Sequence, residues 1–229
     1  MRDITVLYED ERFLVLNKPA GLPVQGGKGV RNSLDSLLAQ NYSERPFLVH
    51  RLDKGTSGVI VTAKTRECAA ECSAVFSGSR QGLKKTYLAF CAGILEKKGT
   101  INEALIIKGK EQKAQTSYIQ RGCSILPCLG EGEEIINISL AEVIPSTGRM
   151  HQIRRHLAQK GNPILLDEKY GNFALNKKLK KNPGIKRLLL HALSIYLPPS
   201  LIKGGLEINA PLPDYFQEMI KKTGINLHI

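Results

Sequence analysis

Apolar and polar positions alternate in short runs along most of this chain, a pattern of strands more than of helices. "ITVLYED" and "RFLVLNKPAG" predict two strands broken at Asp10-Glu11, the second ending in a turn at Lys18-Pro19-Ala20-Gly21. "NSLDSLLAQ" predicts a short helix capped by Asn32 or Ser33. "GVIVTAK" is apolar on both faces and predicts a central strand, after which Thr65 caps a helix running to about Phe76. "KKTYLAFCAGIL", "KAQTSYIQRG" and "IINISLAEVIP" predict three further strands, the last with Ile136, Ile138, Leu140 and Glu142 on one face. Beyond the turn Pro145-Ser146-Thr147-Gly148, "RMHQIRRHLAQKG" predicts a helix stopped by Gly161. "RLLLHALSIYLP" and "LEINAPL" are late strands, and Pro213-Asp214 opens a final helix.

Many strands, few helices and no regular strand–helix alternation predict an α+β fold: a mixed, mostly antiparallel central sheet with flanking helices. With no internal repeat and no low-complexity linker, residues 1–229 are expected to form a single domain. The most polar segment, "NKKLKKNPGIKR" at 176–187, is expected to be a mobile loop. It is either a phosphate-contacting arm or a solvated run of charge.

Composition changes this picture little, and charge changes it more. Hydrophobic residues are 42% and charged residues 24%, which excludes a disordered chain. A net charge of +12 suits a polyanionic partner such as a phosphate backbone, although solubility alone is also served by it. The five cysteines (Cys68, Cys72, Cys91, Cys123 and Cys128) are odd in number and form no CxxC, so free thiols in the cytoplasm are expected. Cys68 and Cys72 lie four apart on a predicted helix and read as small core residues. No apolar run is long enough to span a membrane, and no signal pattern opens the chain.

Several familiar chemistries fail on spacing. "GGKG" at 26–29 lacks the Ser or Thr of a phosphate loop and reads as a turn. His151 and His156 are five apart with no HExxH, so a zinc site is not expected. Ser57 stands in Thr-Ser-Gly and not in a nucleophile elbow. The informative stretch is "LVHRLDKGTSGVIVTAKT", which sets one carboxylate, Asp53, among basic side chains beside a tight turn. If 149–160 is helical, the neighbours of Arg154 at three and four residues are Met150, His151, Leu157 and Ala158, which points to burial. A buried guanidinium needs a carboxylate, and Asp53 is the expected partner, as a catalytic or a purely structural pair.

"HRLDKGTSGVIVTAK" resembles the signature of the RluA family of pseudouridine synthases. "YEDERFLVLNKPAGLPV" is similar to that family's opening motif, "KKTYLAFCAG" to its Lys-x-Tyr strand, "GRMHQIRRHLAQKGNPILLDEKYG" to its Gly-Arg-x-His-Gln-Ile-Arg block, and "LLLHALSI" to its late Leu-His-Ala strand. These fall in the family's order and cover nearly the whole chain. Leu166 stands where the family usually has a glycine before Asp167, which puts the shape of that turn in question. The family's N-terminal S4 domain is not expected, since the first catalytic strand begins near residue 4.

The resemblance implies the pseudouridine synthase fold and isomerisation of uridine in ribosomal or transfer RNA, without cofactor. It implies that Asp53 is the catalytic carboxylate, that Arg154 holds it ionised and oriented, and that Tyr87 stacks on the extruded uracil. Substrate binding falls by the same analogy to His50, Arg51, Ile153 and Leu190. On spacing alone Tyr87 reads as a strand-core tyrosine. RNA is then the expected partner, for a monomer that uses neither membrane nor metal. The rival expectation is an inactive RNA-binding or assembly module of the same fold, which would need none of Asp53, Tyr87 and Arg154.

Overall fold

A computed structural model describes residues 4–27, 32–78, 82–128 and 134–227. Its elements divide into two compact units, Met1–Lys85 with Ala192–Pro211, and Thr86–His191 with Leu212–Ile229.

In the first unit, β1 (Thr5–Glu9) and β2 (Phe13–Lys18) pair antiparallel across the expected break at Asp10. Asp10 makes that break: its Oδ1 accepts the backbone N–H groups of Arg12 and Phe13. Next come α1 (Leu34–Asn41), β3 (Phe47–Leu48), β4 (Ser57–Ala63) and α2 (Arg66–Phe76). Ser33 caps α1 through a reciprocal bond with Ser36, and the Thr65 hydroxyl accepts the N–H of Cys68 to cap α2, as its position predicts. The strand order is β1-β2-β4-β11, where β11 is Leu190–Leu197, and β12 (Leu206–Asn209) pairs antiparallel with β11. All seven residues of β4 are buried, so its continuous apolar run is that of a strand covered on both faces. Phe13, Val15, Val59, Val61, Cys68, Cys72, Ile195 and Leu197 form one core between α2 and this sheet. The two cysteines are therefore core residues, as expected.

Gly58 lets β4 lie against β11. Its φ is +108°, and a Cβ there would fall on the backbone of Ala192. No other residue type meets both conditions.

In the second unit the strand order is β5-β10-β9-β6, formed by Lys84–Ala92, Glu134–Pro145, Thr116–Cys128 and Lys98–Ile101. A separate hairpin joins β7 (Leu105–Ile107) to β8 (Lys110–Gln112). Helices α3 (Gln152–Gln159), α4 (Phe173–Leu179) and α5 (Asp214–Thr223) complete it. Phe216 of α5 is fully buried, with its ring 5.4 Å from that of Phe90 and 5.9 Å from that of His191. β10 pairs antiparallel with β5 and β9, and β6 with β9, so the predicted α+β class holds.

Two expectations need correction. The 176–187 segment is not a loop throughout, because α4 reaches into it. Asn172 caps that helix, and Leu175, Asn176 and Leu179 turn inward while Lys177, Lys178 and Lys180 face water. The lysines masked a helical stripe only three residues wide. Helix α3 starts at Gln152 and not at Arg149, because His151 takes a left-handed φ of 54°. Of the "GGKG" turn, residues 28 and 29 lie outside the described residues.

Gly58→Ala is expected to lose at least about 2 kcal/mol of stability in urea unfolding, from positive-φ strain and overpacking together. Wild-type stability in that variant would show that β4 and β11 can separate at no cost.

Candidate active site

The first unit holds His50, Arg51 and Asp53, all between β3 and β4. Asp53 is half-buried, and its carbonyl accepts the N–H of Thr56 to close the turn that leads into β4. The turn is fixed from below by a residue that the pattern of the sequence did not single out. Lys18, at the end of β2, is fully buried, and its Nζ donates to the carbonyls of Leu22 at 2.8 Å, Pro19 at 3.0 Å and Lys54 at 3.4 Å. Gly21 N–H adds a bond to the Lys54 carbonyl at 2.7 Å. One ammonium thus ties the Lys18–Leu22 turn to the residue after Asp53. Burial pulls Lys18 down to about 7, and the negative charge of Asp53 pulls the other way.

Arg51 is exposed. His50 serves the sheet. Strand β3 ends at Leu48, and two residues later the His50 Nε2 accepts the N–H of Val61 at 2.9 Å, supplying an acceptor that β3 no longer offers. Its ring stacks on Phe76 at 4.4 Å. Burial, helped by the charge of Lys85, pushes His50 down to about 3, so its ring is neutral with the proton on Nδ1.

The second unit holds Tyr87, Ile153, Arg154 and Leu190. Tyr87 is half-buried on β5, opposite Val143 of β10. Ile153 and Leu190 are buried, at the starts of α3 and β11. Arg154 is largely buried, as expected. Its Nε and Nη2 each donate at 2.8 Å to Asp167, whose side chain is fully buried while that of Arg154 is 11% exposed. Asp167, thirteen residues along the chain, is thus one carboxylate that permits burial of Arg154. Burial alone would raise the Asp167 carboxyl, but Arg154 and the N–H groups of Lys169 and Tyr170 outweigh it and hold the group below its ordinary range.

At the turn into Asp167 the residue that stands in place of the glycine takes a left-handed backbone. Leu166 itself adopts φ +61°, its N–H donates to Asn176 Oδ1, and Asn176 Nδ2 donates to the Asp167 carbonyl. The left-handed backbone costs about 1–2 kcal/mol, and the side chain, 2% exposed, recovers at least that by burial.

Beneath α3 runs a buried polar chain that spacing arguments also missed. Gln152 Oε1 accepts from Thr147 Oγ1 and the Arg149 N–H, while its Nε2 donates to the Gln115 carbonyl and to Thr116 Oγ1. His156 Nε2 lies 2.9 Å from the Glu103 carbonyl, so it carries the proton, and Nδ1 accepts from Thr116 at 2.8 Å. The signal for this chain was available in two polar residues, Gln152 and His156, four apart on one helical face.

Comparison with known proteins follows the same lines. Residues 12–159 match the family model described as RNA pseudouridylate synthase. The chain belongs to that family. Ribosomal large subunit pseudouridine synthase C of Buchnera aphidicola subsp. Baizongia pistaciae is 34% identical over 220 residues, 94% of this chain and 69% of that one. The protein of the same name from Rickettsia bellii is 35% identical over 228 residues, covering 93% and 70%. Human RNA Pseudouridylate Synthase Domain Containing 4 superposes with a TM-score of 0.74 at 25% identity, over 97% of this chain and 94% of that one. The protein is accordingly an isomerase that converts uridine in RNA to pseudouridine. Among the described residues no group of acidic, histidine or cysteine side chains could hold a metal ion, and no helix is long and apolar enough to cross a membrane.

His50 generates a pH dependence of stability. Its folded value lies below the unfolded 6.5, so its contribution is complete above pH 6.5 and is lost as pH falls toward 3. The expected slope is up to about 1.4 kcal/mol per pH unit. His50→Gln keeps an acceptor for Val61 and should flatten that slope in urea unfolding between pH 4.5 and 6.5, about two units of the window.

Proposed function

We propose that this chain isomerises uridine in large-subunit ribosomal RNA, with Asp53 as the reacting carboxylate and residues 1–229 acting as one catalytic domain. The observation that carries the reading is the turn at Asp53, an acidic residue in a segment of basic side chains, backed by a buried lysine and lying within the family match. The names of the curated relatives favour ribosomal over transfer RNA.

The chemistry asks little of the protein beyond positioning. The C1′–N1 bond breaks and uracil leaves as a delocalised anion. The base turns, C5 bonds to C1′, the C5 proton is lost and N1 regains one. Hydrolysis of a glycosidic bond takes two carboxylates, one of them to activate water or attack the sugar. Here the leaving group is also the returning nucleophile, so one carboxylate suffices and water must be excluded. Arg154 is assigned to keep Asp53 ionised, Tyr87 to stack on the base and help remove the C5 proton, and Ile153 and Leu190 to line the apolar side of the pocket. Arg51, exposed and planar, is assigned to fill the gap left by the extruded nucleotide. His50 supports substrate binding through the backbone it holds.

Asp53→Asn is expected to abolish pseudouridine formation while leaving folding and RNA binding intact. Mapping pseudouridine in cellular RNA with and without the gene should show loss at discrete large-subunit sites. Turnover by folded, undeamidated Asp53→Asn protein would sink the mechanism, and losses confined to transfer RNA would move the substrate.

The lysines of α4 and its end, Lys177, Lys178, Lys180 and Lys181, are exposed and outside every catalytic motif. Lys180 pairs with Glu168, itself solvent-exposed. Each phosphate contact they make adds about 0.7–0.9 to the slope of log K against log salt. Replacing all four by Gln should flatten that slope and leave the rate on saturating RNA unchanged. An unmoved slope would assign RNA affinity to other basic residues.

A further inference from the structure

We propose that Asp167 and Tyr170 are positioning residues for the isomerisation, forming with His151 a cradle that fixes both the plane and the rotation of the Arg154 guanidinium. This rests on the reading that makes Arg154 the partner of the reacting carboxylate.

The geometry exceeds what neutralising a buried charge requires. Asp167 engages the guanidinium along one edge, through Nε and Nη2, which fixes rotation about the side-chain axis. The face is set separately. The Arg154 Cζ lies over the Tyr170 ring, 5.2 Å from its centroid, a cation–π contact that limits how the guanidinium can tilt. Tyr170 is itself pinned at both ends. Its backbone N–H donates to Asp167 Oδ1 at 3.0 Å, and its hydroxyl shares a 3.0 Å hydrogen bond with His151 Nδ1. Lys169 adds its backbone N–H to the same carboxylate oxygen at 2.9 Å. Asp167 thus collects four donors in a turn whose carbonyl is clipped by Asn176 and Gly171.

Backbone conformation points the same way. Two of the three described non-glycine residues with positive φ, His151 at 54° and Leu166 at 61°, immediately flank this cradle. His151 needs its unusual backbone to precede α3 and still face Tyr170, and Leu166 needs its own to turn the chain into Asp167. Strain of this kind persists where the surrounding structure over-determines it. A lysine would satisfy the charge of Asp167 but could offer neither an edge nor a face. Edge and face together set where the rest of the guanidinium points. A cation that must stay in one orientation while the uracil leaves, turns and returns gains from such pre-organisation.

The test uses the full chain and an RNA transcript carrying a uridine identified by mapping. Tyr170→Phe removes the bond to His151 and keeps the ring. Tyr170→Leu removes the face, Asp167→Asn weakens the edge, and Arg154→Lys removes the fork. Measured are kcat, KM, the pH profile of kcat, and thermal unfolding. Tyr170→Leu should lower kcat by 10- to 100-fold with KM within threefold, and Tyr170→Phe by 3- to 10-fold. In both, the acid limb of kcat should move to higher pH, because the reacting carboxylate loses a fixed cation. Arg154→Lys should fail to restore the rate. If Asp167→Asn does not fold, the Tyr170 pair carries the decision.

Folded Tyr170→Leu protein with wild-type kcat overturns the cradle. So does a lower kcat with an unmoved acid limb, which marks a merely structural role, or a loss confined to KM, which marks an RNA contact. Asp53→Asn is assayed beside them. If it turns over, the reading beneath the proposal fails; if it is inactive while the Tyr170 variants are normal, only the cradle fails.

Discussion

A guanidinium buried to about a tenth of its exposure must be matched bond for bond, and the second unit is arranged around that requirement. Asp167 answers Arg154 with both carboxylate oxygens, and the turn from Leu166 to Gly171 exists to hold Asp167 in place. Asn176, the inward residue of α4, bonds to both sides of that turn. The lysine-rich segment is therefore helical at its start for a reason seated in the site. Its polar surface faces water while one amide closes the turn beneath.

The first unit solves an equivalent problem with an ammonium and no carboxylate bond of its own kind. Lys18 is fully buried and distributes its protons over three carbonyls. A point charge with three donors suits scattered acceptors in two turns, as a planar fork suits one carboxylate. In the first unit a buried cation fixes the backbone next to a residue assigned to catalysis; in the second the buried cation is itself such a residue, and a turn fixes it. Misplacement by a fraction of an ångström costs more in a site of this kind than in the hydrophobic core beside it, because positioning is the protein's main contribution to the reaction.

His50 and His156 belong to the same economy of buried polar groups. Each has a nitrogen that accepts from a specific partner, Val61 N–H or Thr116 hydroxyl, and burial keeps both neutral or shifts them toward neutrality. Both are the kind of residue that draws attention as a ligand or proton carrier in a sequence. In the fold both satisfy backbone groups where regular pairing ends, His50 beyond β3 and His156 at the segment before β7.

Local rules sufficed for what depends on neighbours in the chain. The break at Asp10, the caps at Ser33 and Thr65, the two-faced burial of β4 and the stop at Gly161 all follow from period, capping and turn chemistry within a few residues. The motif around Asp53 and the burial of Arg154 were legible too, the first because its residues are contiguous, the second because Leu157 and Ala158 share its helix. The bond of Arg154 to Asp167 was not. Nothing in spacing marks Asp167 as a counterion, since pairing depends on where distant segments fold. Lys18 reads as an exposed turn lysine until three carbonyls converge on it, and α4 reads as solvated charge until Asn176 is needed inside. Periodicity records which face an element buries. Which acceptor meets which buried donor is decided only when distant segments pack, because an unmatched polar group costs most where water has been removed.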